Sequence, residues 1–201
     1  MVSLPMRNPE ATKETILKKS GALFNTGGYK ATSISEITEA TGFTKGAIYR
    51  HFDSKDALER ETLAYLSQVM IEKMRAVVKP EVTAGDKIRA IFSFFESYIS
   101  NPPLKGGCPL LNAAIEADDA HSGLRREARK TLTTLRESLM YILQQGIKNS
   151  QIKPGIDKEY YATVIIASLE GGIMMSKLEG NDRDIRNMIN HLRTLLTQIE
   201  A

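Results

Sequence analysis

Apolar residues recur along this chain at spacings of three and four, and nowhere alternate with polar ones over the length of a strand. That period belongs to helices, so an all-α fold is expected. From about Pro9 to Thr26, Ile16, Ser20, Leu23 and Phe24 share one face, and Gly27-Gly28 ends the segment because glycine accepts the left-handed conformation past a helix C-terminus. In "TSISEITEATG", Ser33 followed by Glu36 has the form of a capping box, Ile34 and Ile37 point inward, and Gly42 stops the helix early. Thr44 caps a second short helix, Lys45 to Phe52, and Ser54 or Asp53 caps a long one running to Val78. Beyond Pro80, helices are expected near 84–100, 109–119, 122–149, 157–179 and 182–199, broken by "NPPLKGG", "DDAHSG", "KPGID" and "EGND". The sum is about nine helices, divided into a three-helix N-terminal domain over residues 1–55 and a helical body over 56–201.

Two short helices joined by a glycine turn make a helix-turn-helix when the second is free to enter a DNA major groove. Ile34, Ile37, Ala40 and Phe43 brace the pair, while Ile48 and Phe52, four apart, turn inward. Gly46 and Ala47 keep the start of the second helix slim enough for close backbone approach. Thr44 and Lys45 sit at the positive end of that helix, within reach of phosphates or base edges. Lys45, Tyr49 and Arg50 fall on the outer face, Tyr49 and His51 can donate to phosphates, and Lys55 opens the next helix. The plainer reading is a helical hairpin with a solvated polar face, which does not account for the agreement of cap, turn glycine, slim start and terminal aromatics.

Charge sharpens this picture. Residues 1–55 hold eight of the 27 Lys/Arg and five of the 24 Asp/Glu, so the whole net charge of +3 sits there and the remainder is neutral. A basic segment ahead of a neutral body points to a polyanion partner for that segment alone. The single cysteine, Cys108, excludes an intramolecular disulfide framework and fits a reducing compartment. Neither a signal-peptide core nor an apolar run of membrane-spanning length is present, so a cytoplasmic protein without a membrane partner is expected.

The stretch "ISEITEATGFTKGAIYRHFDSKDAL" resembles the DNA-binding segment of the TetR (tetracycline repressor) family of bacterial regulators. The hydroxyl-capped helix, Thr-Gly at the turn, Lys-Gly after a hydroxyl residue, and Tyr-x-His-Phe before Ser-Lys-Asp carry the likeness, which covers about residues 10–65. The resemblance implies a homodimer whose N-terminal domains bind a palindromic operator and whose C-terminal domains bind a small molecule. It implies that Thr44, Lys45, Gly46, Tyr49 and His51 contact DNA, that Ser33 and Lys55 meet phosphate, and that Arg50 is a variable position bearing on base specificity. A repressor released by an apolar or aromatic effector follows; an activator or an effector-independent binder is the alternative.

Two segments of the body bear on assembly. "YYATVIIASLEGGIMMSKL" is apolar nearly all round, with Ala167, Ser168, Gly171 and Gly172 permitting close helix approach. The last helix carries Ile185, Met188, Ile189, Leu192, Leu195, Leu196 and Ile199 as a continuous seam. Residues 157–179 and 182–199 from two chains would form an intermolecular four-helix bundle, unless both helices are buried within one subunit. Candidate ligand-binding residues are Phe92, Phe95, Tyr98, Cys108, Leu111, Ile115, Met140, Tyr141 and Leu143, with Asn112 and Glu170 as polar anchors.

Catalytic chemistry finds little support. The histidines are scattered, and there is no nucleophile–base pair, phosphate-cradling glycine loop or metal-ligand spacing, so neither an enzyme nor a metal or cofactor site is expected. Cys108 lacks a sequence neighbour that would activate its thiol, and the acids of "EADDAH" are explained by a helix end.

Overall fold

Caps and glycines set the helix limits in the computed structural model, which describes residues 8–117 and 121–201. Nine helices occur among the described residues: α1 (Pro9–Gly27), α2 (Ile34–Thr41), α3 (Lys45–Tyr49), α4 (Lys55–Val78), α5 (Ala84–Glu96), α6 (Pro109–Ala117), α7 (Ser122–Lys148), α8 (Lys158–Glu179) and α9 (Arg183–Ile199). The all-α expectation holds. Asn8, Ser33, Thr44, Thr83 and Asp157 each cap a helix start through the side chain, so backbone donors that the helix leaves orphaned are satisfied. The Ser33–Glu36 box is complete in both directions, and the hydrogen bonds from Ser33 hold the Glu36 carboxyl below the usual carboxylate range.

Two elements are shorter than their sequence patterns suggest. The α3 helix ends at Tyr49 rather than Phe52, and the turn tightens as His51 N–H bonds back to the Ile48 carbonyl. The α5 helix ends at Glu96 rather than near residue 100. Asn101 precedes Pro102, which disfavours helical backbone there, and the Phe95 and Tyr98 rings stack 5.6 Å apart across the exit turn.

The chain divides into two compact units. The first contains the described residues up to Gln68 together with those from Pro109 to Ala128. Its core holds Ile16, Phe24, Tyr29, Ile37, Ile48, Phe52, Leu58 and Leu63, all buried, with Phe24 and Tyr29 stacked at 4.9 Å. The second contains Val69–Cys108 and Arg129–Ala201. There α8 and α9 pack closely because Gly172 has no side chain: a Cβ at that position would lie 2.9 Å from the Ile185 Cδ1. Among the described residues no helix is long and apolar enough to cross a membrane.

Candidate nucleic-acid interface and interior cavity

The helix-turn-helix is assembled as its sequence implies. Gly42 takes φ +73° at the end of α2, a conformation that favours glycine, and open space surrounds the position where a Cβ would stand. Thr44 begins α3 by accepting the Ala47 N–H at 3.2 Å. Ile48, fully buried, anchors α3 to the unit, and Phe52 closes the turn beneath it. What remains outside is polar. Thr44, Lys45, Gly46, Tyr49 and Arg50 are exposed and His51 is half-buried beside Phe52. Lys45 and Tyr49 lie together on one face, the ammonium 5.9 Å from the ring centroid. Nothing stands within 4 Å of a Cβ built on Gly46, so the start of α3 is open to close approach.

Lys55 is half-buried and already engaged inside the unit. Its ammonium donates to the Tyr29 carbonyl at 2.9 Å and pairs with buried Glu59 at 3.1 Å. It ties α4 to the α1–α2 connection while its side chain stays 33% exposed. Ser33, although exposed, has its hydroxyl engaged with Glu36.

The α6 helix braces the same unit, a role that sequence reasoning missed. The two carboxylate oxygens of Glu116 accept from the Tyr29 and Lys30 amides, each at 3.0 Å, while Asn112 donates to Asn25. Partners 86 and 87 residues away leave no periodic trace. Replacing Glu116 by Ala leaves both amides without a charged acceptor, and urea unfolding should show a loss of about 2 kcal/mol. Glu116→Gln, which keeps one acceptor oxygen, should lose less.

Asp56, Glu59 and His121 form a cluster whose ligand-type atoms lie within 4.8 Å of one another. His121 Nδ1 accepts the Leu124 amide at 3.1 Å, so Nε2 carries the ring proton and faces Glu59 at 2.6 Å as a donor. Lys55 and Arg60 neutralise the acids from the other side. The donor set is that of an ion-pair network joining the starts of α4 and α7, because a metal needs a bare nitrogen where this ring holds a proton. Asp118 and Asp119 of the same sequence stretch lie outside the described residues.

The second unit holds a half-open cavity of about 590 Å³ between α4, α5, α7 and α8. Of the residues expected to bind ligand, it brings together Phe95, Tyr141 and Glu170. The others are elsewhere, for identifiable reasons. Phe92 and Leu143 are fully buried packing residues, and Tyr98 stacks on Phe95 away from the lining. Met140 is half-buried outside the cavity wall. Leu111, Asn112 and Ile115 belong to α6 and hence to the first unit, where Ile115 is 67% exposed. Missing from the expected set were Ile71, Met74 and Val78, which line the cavity from α4. Their spacing of three and four was legible as an apolar stripe, although not as a cavity wall.

Glu170 is the unusual member of the lining. One carboxylate oxygen accepts from the Cys108 thiol at 3.0 Å, and the other is buried without a hydrogen-bond partner. Burial raises the carboxyl above its ordinary range, partly offset by the thiol donor. Cys108 itself is buried, and desolvation likewise raises the Tyr98 phenol nearby.

Both halves of the chain match known protein domains. A family model described as the tetracyclin repressor-like C-terminal domain matches residues 84–192, and one described as bacterial regulatory proteins, tetR family, matches residues 16–62. The chain belongs to the TetR family. A TetR transcriptional regulator from Chloroflexus aurantiacus superposes with a TM-score of 0.92 at 37% identity, covering 97% of this chain and 98% of that one. A TetR-family regulator from Cytophaga hutchinsonii gives 0.90 at 28% identity, covering 98% and 99%. Among curated relatives, the transcriptional repressor DhaR of Mycobacterium sp. (strain GP1) is 23% identical over 84% of each chain. This TetR-family protein is a DNA-binding transcriptional regulator, and members of the family are dimeric.

Its α9 seam is largely used inside the subunit. Ile185, Ile189, Leu192, Leu196 and Ile199 are buried, leaving Met188 and Leu195 half-buried. On α8 the opposite outcome holds for one face. Ile165, Leu169 and Ile173 turn inward, but Met174 is 43% exposed and Leu178 82% exposed, with open space at Gly171 between them and Ala167. Apolar side chains of that size in a row on one helix leave a face suited to a partner.

Proposed function

We propose that this regulator is a repressor that binds a palindromic operator as a homodimer and lets go when a small, mainly apolar effector fills the cavity of the second unit. The observation that carries this reading is the outward face of α3, where Thr44, Lys45, Gly46, Tyr49 and Arg50 are exposed around a helix pinned by buried Ile48. Lys45, Tyr49 and His51 supply donors for phosphate and base edges, and Arg50 contributes to the choice of sequence. The exposed α8 face, with the exposed remainder of 157–179 and 182–199, forms the interface between protomers. Two linked heads gain avidity on a symmetric site. The protein works in the cytoplasm, by binding and not by turnover.

Effector release requires the ligand to favour a spacing of the two heads that fits the operator poorly. Chain order supplies a route: Cys108, bonded to Glu170 in the cavity wall, is followed directly by α6, which carries Asn112 and Glu116. DNase footprinting on the DNA flanking the protein's own gene tests the reading. A two-fold symmetric protected site is expected, and a footprint without such symmetry favours an effector-independent binder.

A further inference from the structure

The cavity's chemistry narrows the class of effector. Ile91, Phe95, Leu139 and Leu169 make its buried wall, so the body of any occupant is apolar. Four charged residues line it: Arg75, Lys87, Glu137 and Glu170. Arg75 and Glu137 are exposed to solvent, and the Lys87 ammonium is held by the Glu81 and Val82 carbonyls. Glu170 differs from all three, because its Oε2 is buried and has no hydrogen-bond partner among the described residues. An acceptor in that condition is completed by a donor that arrives with the occupant.

We propose that the effector is a lipophilic cation, an apolar molecule bearing a protonated amine, and that Glu170 is the residue that recognises it. This rests on the cavity being the effector site. A protonated amine offers the carboxylate a charge-assisted hydrogen bond, which is stronger than the bond a neutral hydroxyl would make. It also suits the aromatic lining, since Phe95 and Tyr141 present ring surface within the same cavity. An acidic head placed at Glu170 lacks that charge-assisted bond and is disfavoured there. The Cys108 thiol donates to Oε1, so Oε2, buried at the wall, is the oxygen left for the occupant's donor to meet as the side chain turns toward it.

The experiment uses the full-length protein and three probes with a common ten-carbon chain, decylamine, decan-1-ol and decanoate, each below its micellar concentration. Calorimetric titration at neutral pH should rank decylamine at least tenfold tighter than decan-1-ol, with decanoate weakest. Glu170→Gln, isosteric and able to accept from Cys108, should bring decylamine to within a few-fold of decan-1-ol while decan-1-ol affinity is retained, which reports an intact cavity. If that variant fails to fold, Glu170→Asp serves, with a reduced preference expected. Decanoate binding as tightly as decylamine, or a full tenfold preference surviving in the folded variant, overturns the assignment. Operator retention by the wild-type protein, measured separately, distinguishes failure of this inference from failure of the regulator reading: selectivity can be lost while DNA binding stands.

Discussion

Replacing Lys45 and Tyr49 together by Ala should abolish operator retention in a gel-shift assay while the dimer stays folded. Both side chains are exposed and touch each other across one turn of α3, so their removal leaves the core of the first unit intact. Alanine is also a better helix former than either residue, so thermal unfolding should move little. The binding loss is large because each change counts twice in a symmetric complex. At roughly 1 kcal/mol for each side chain in each head, the total is roughly 4 kcal/mol, about a thousandfold in affinity. Loss of the Lys45 charge should also flatten the salt dependence, since each cation that neutralises a phosphate adds about one unit of slope. Operator retention equal to wild type at matched salt sinks the α3 assignment.

Placing aspartate at both Met174 and Leu178 should convert the dimer to monomers in sedimentation velocity. Met174 is 43% and Leu178 82% exposed on the outer α8 face, and burying two carboxylates in an apolar interface is costly. The protomer should remain folded, because the inner face of α8 is made by Ile165, Leu169, Ile173 and the close contact of Gly172 with Ile185. Operator affinity should fall about 10²–10⁴-fold as the second head loses its tether. A variant that sediments like wild type would place the interface elsewhere.

The parts of the molecule legible in the sequence are those governed by short-range rules. A cap acts over three residues, a terminating glycine over one, and an amphipathic face over a turn or two. Hence the limits of α1, α2 and α4, the Ser33–Glu36 box and the turn at Gly42 were readable. So was the division of the reading helix into inward Ile48 and outward Lys45 and Tyr49, because those side chains sit at fixed angles around a single helix.

Apolar periodicity marks a face without saying what covers it. The α9 seam was as consistent with a second chain as with the protein's own α8 and α5, and packing inside the subunit took most of it. The same ambiguity put Leu111, Asn112 and Ile115 among the cavity candidates, whereas they ride on a helix that belongs to the first unit. For Lys55 the sequence marked a cation at a helix start, and only the structure shows Glu59 and the Tyr29 carbonyl around its ammonium.

By itself, then, the sequence determined the helices, most of their ends and the face of α3 that stays exposed, since each depends on residues within a few positions of one another. Only the tertiary structure decided that Glu116 fastens α6 to the Tyr29–Lys30 turn, that α8 keeps an open apolar face, and that one oxygen of Glu170 is left unpartnered at a cavity. Those are properties of surfaces that meet across dozens of residues, and burial is decided by both surfaces at once.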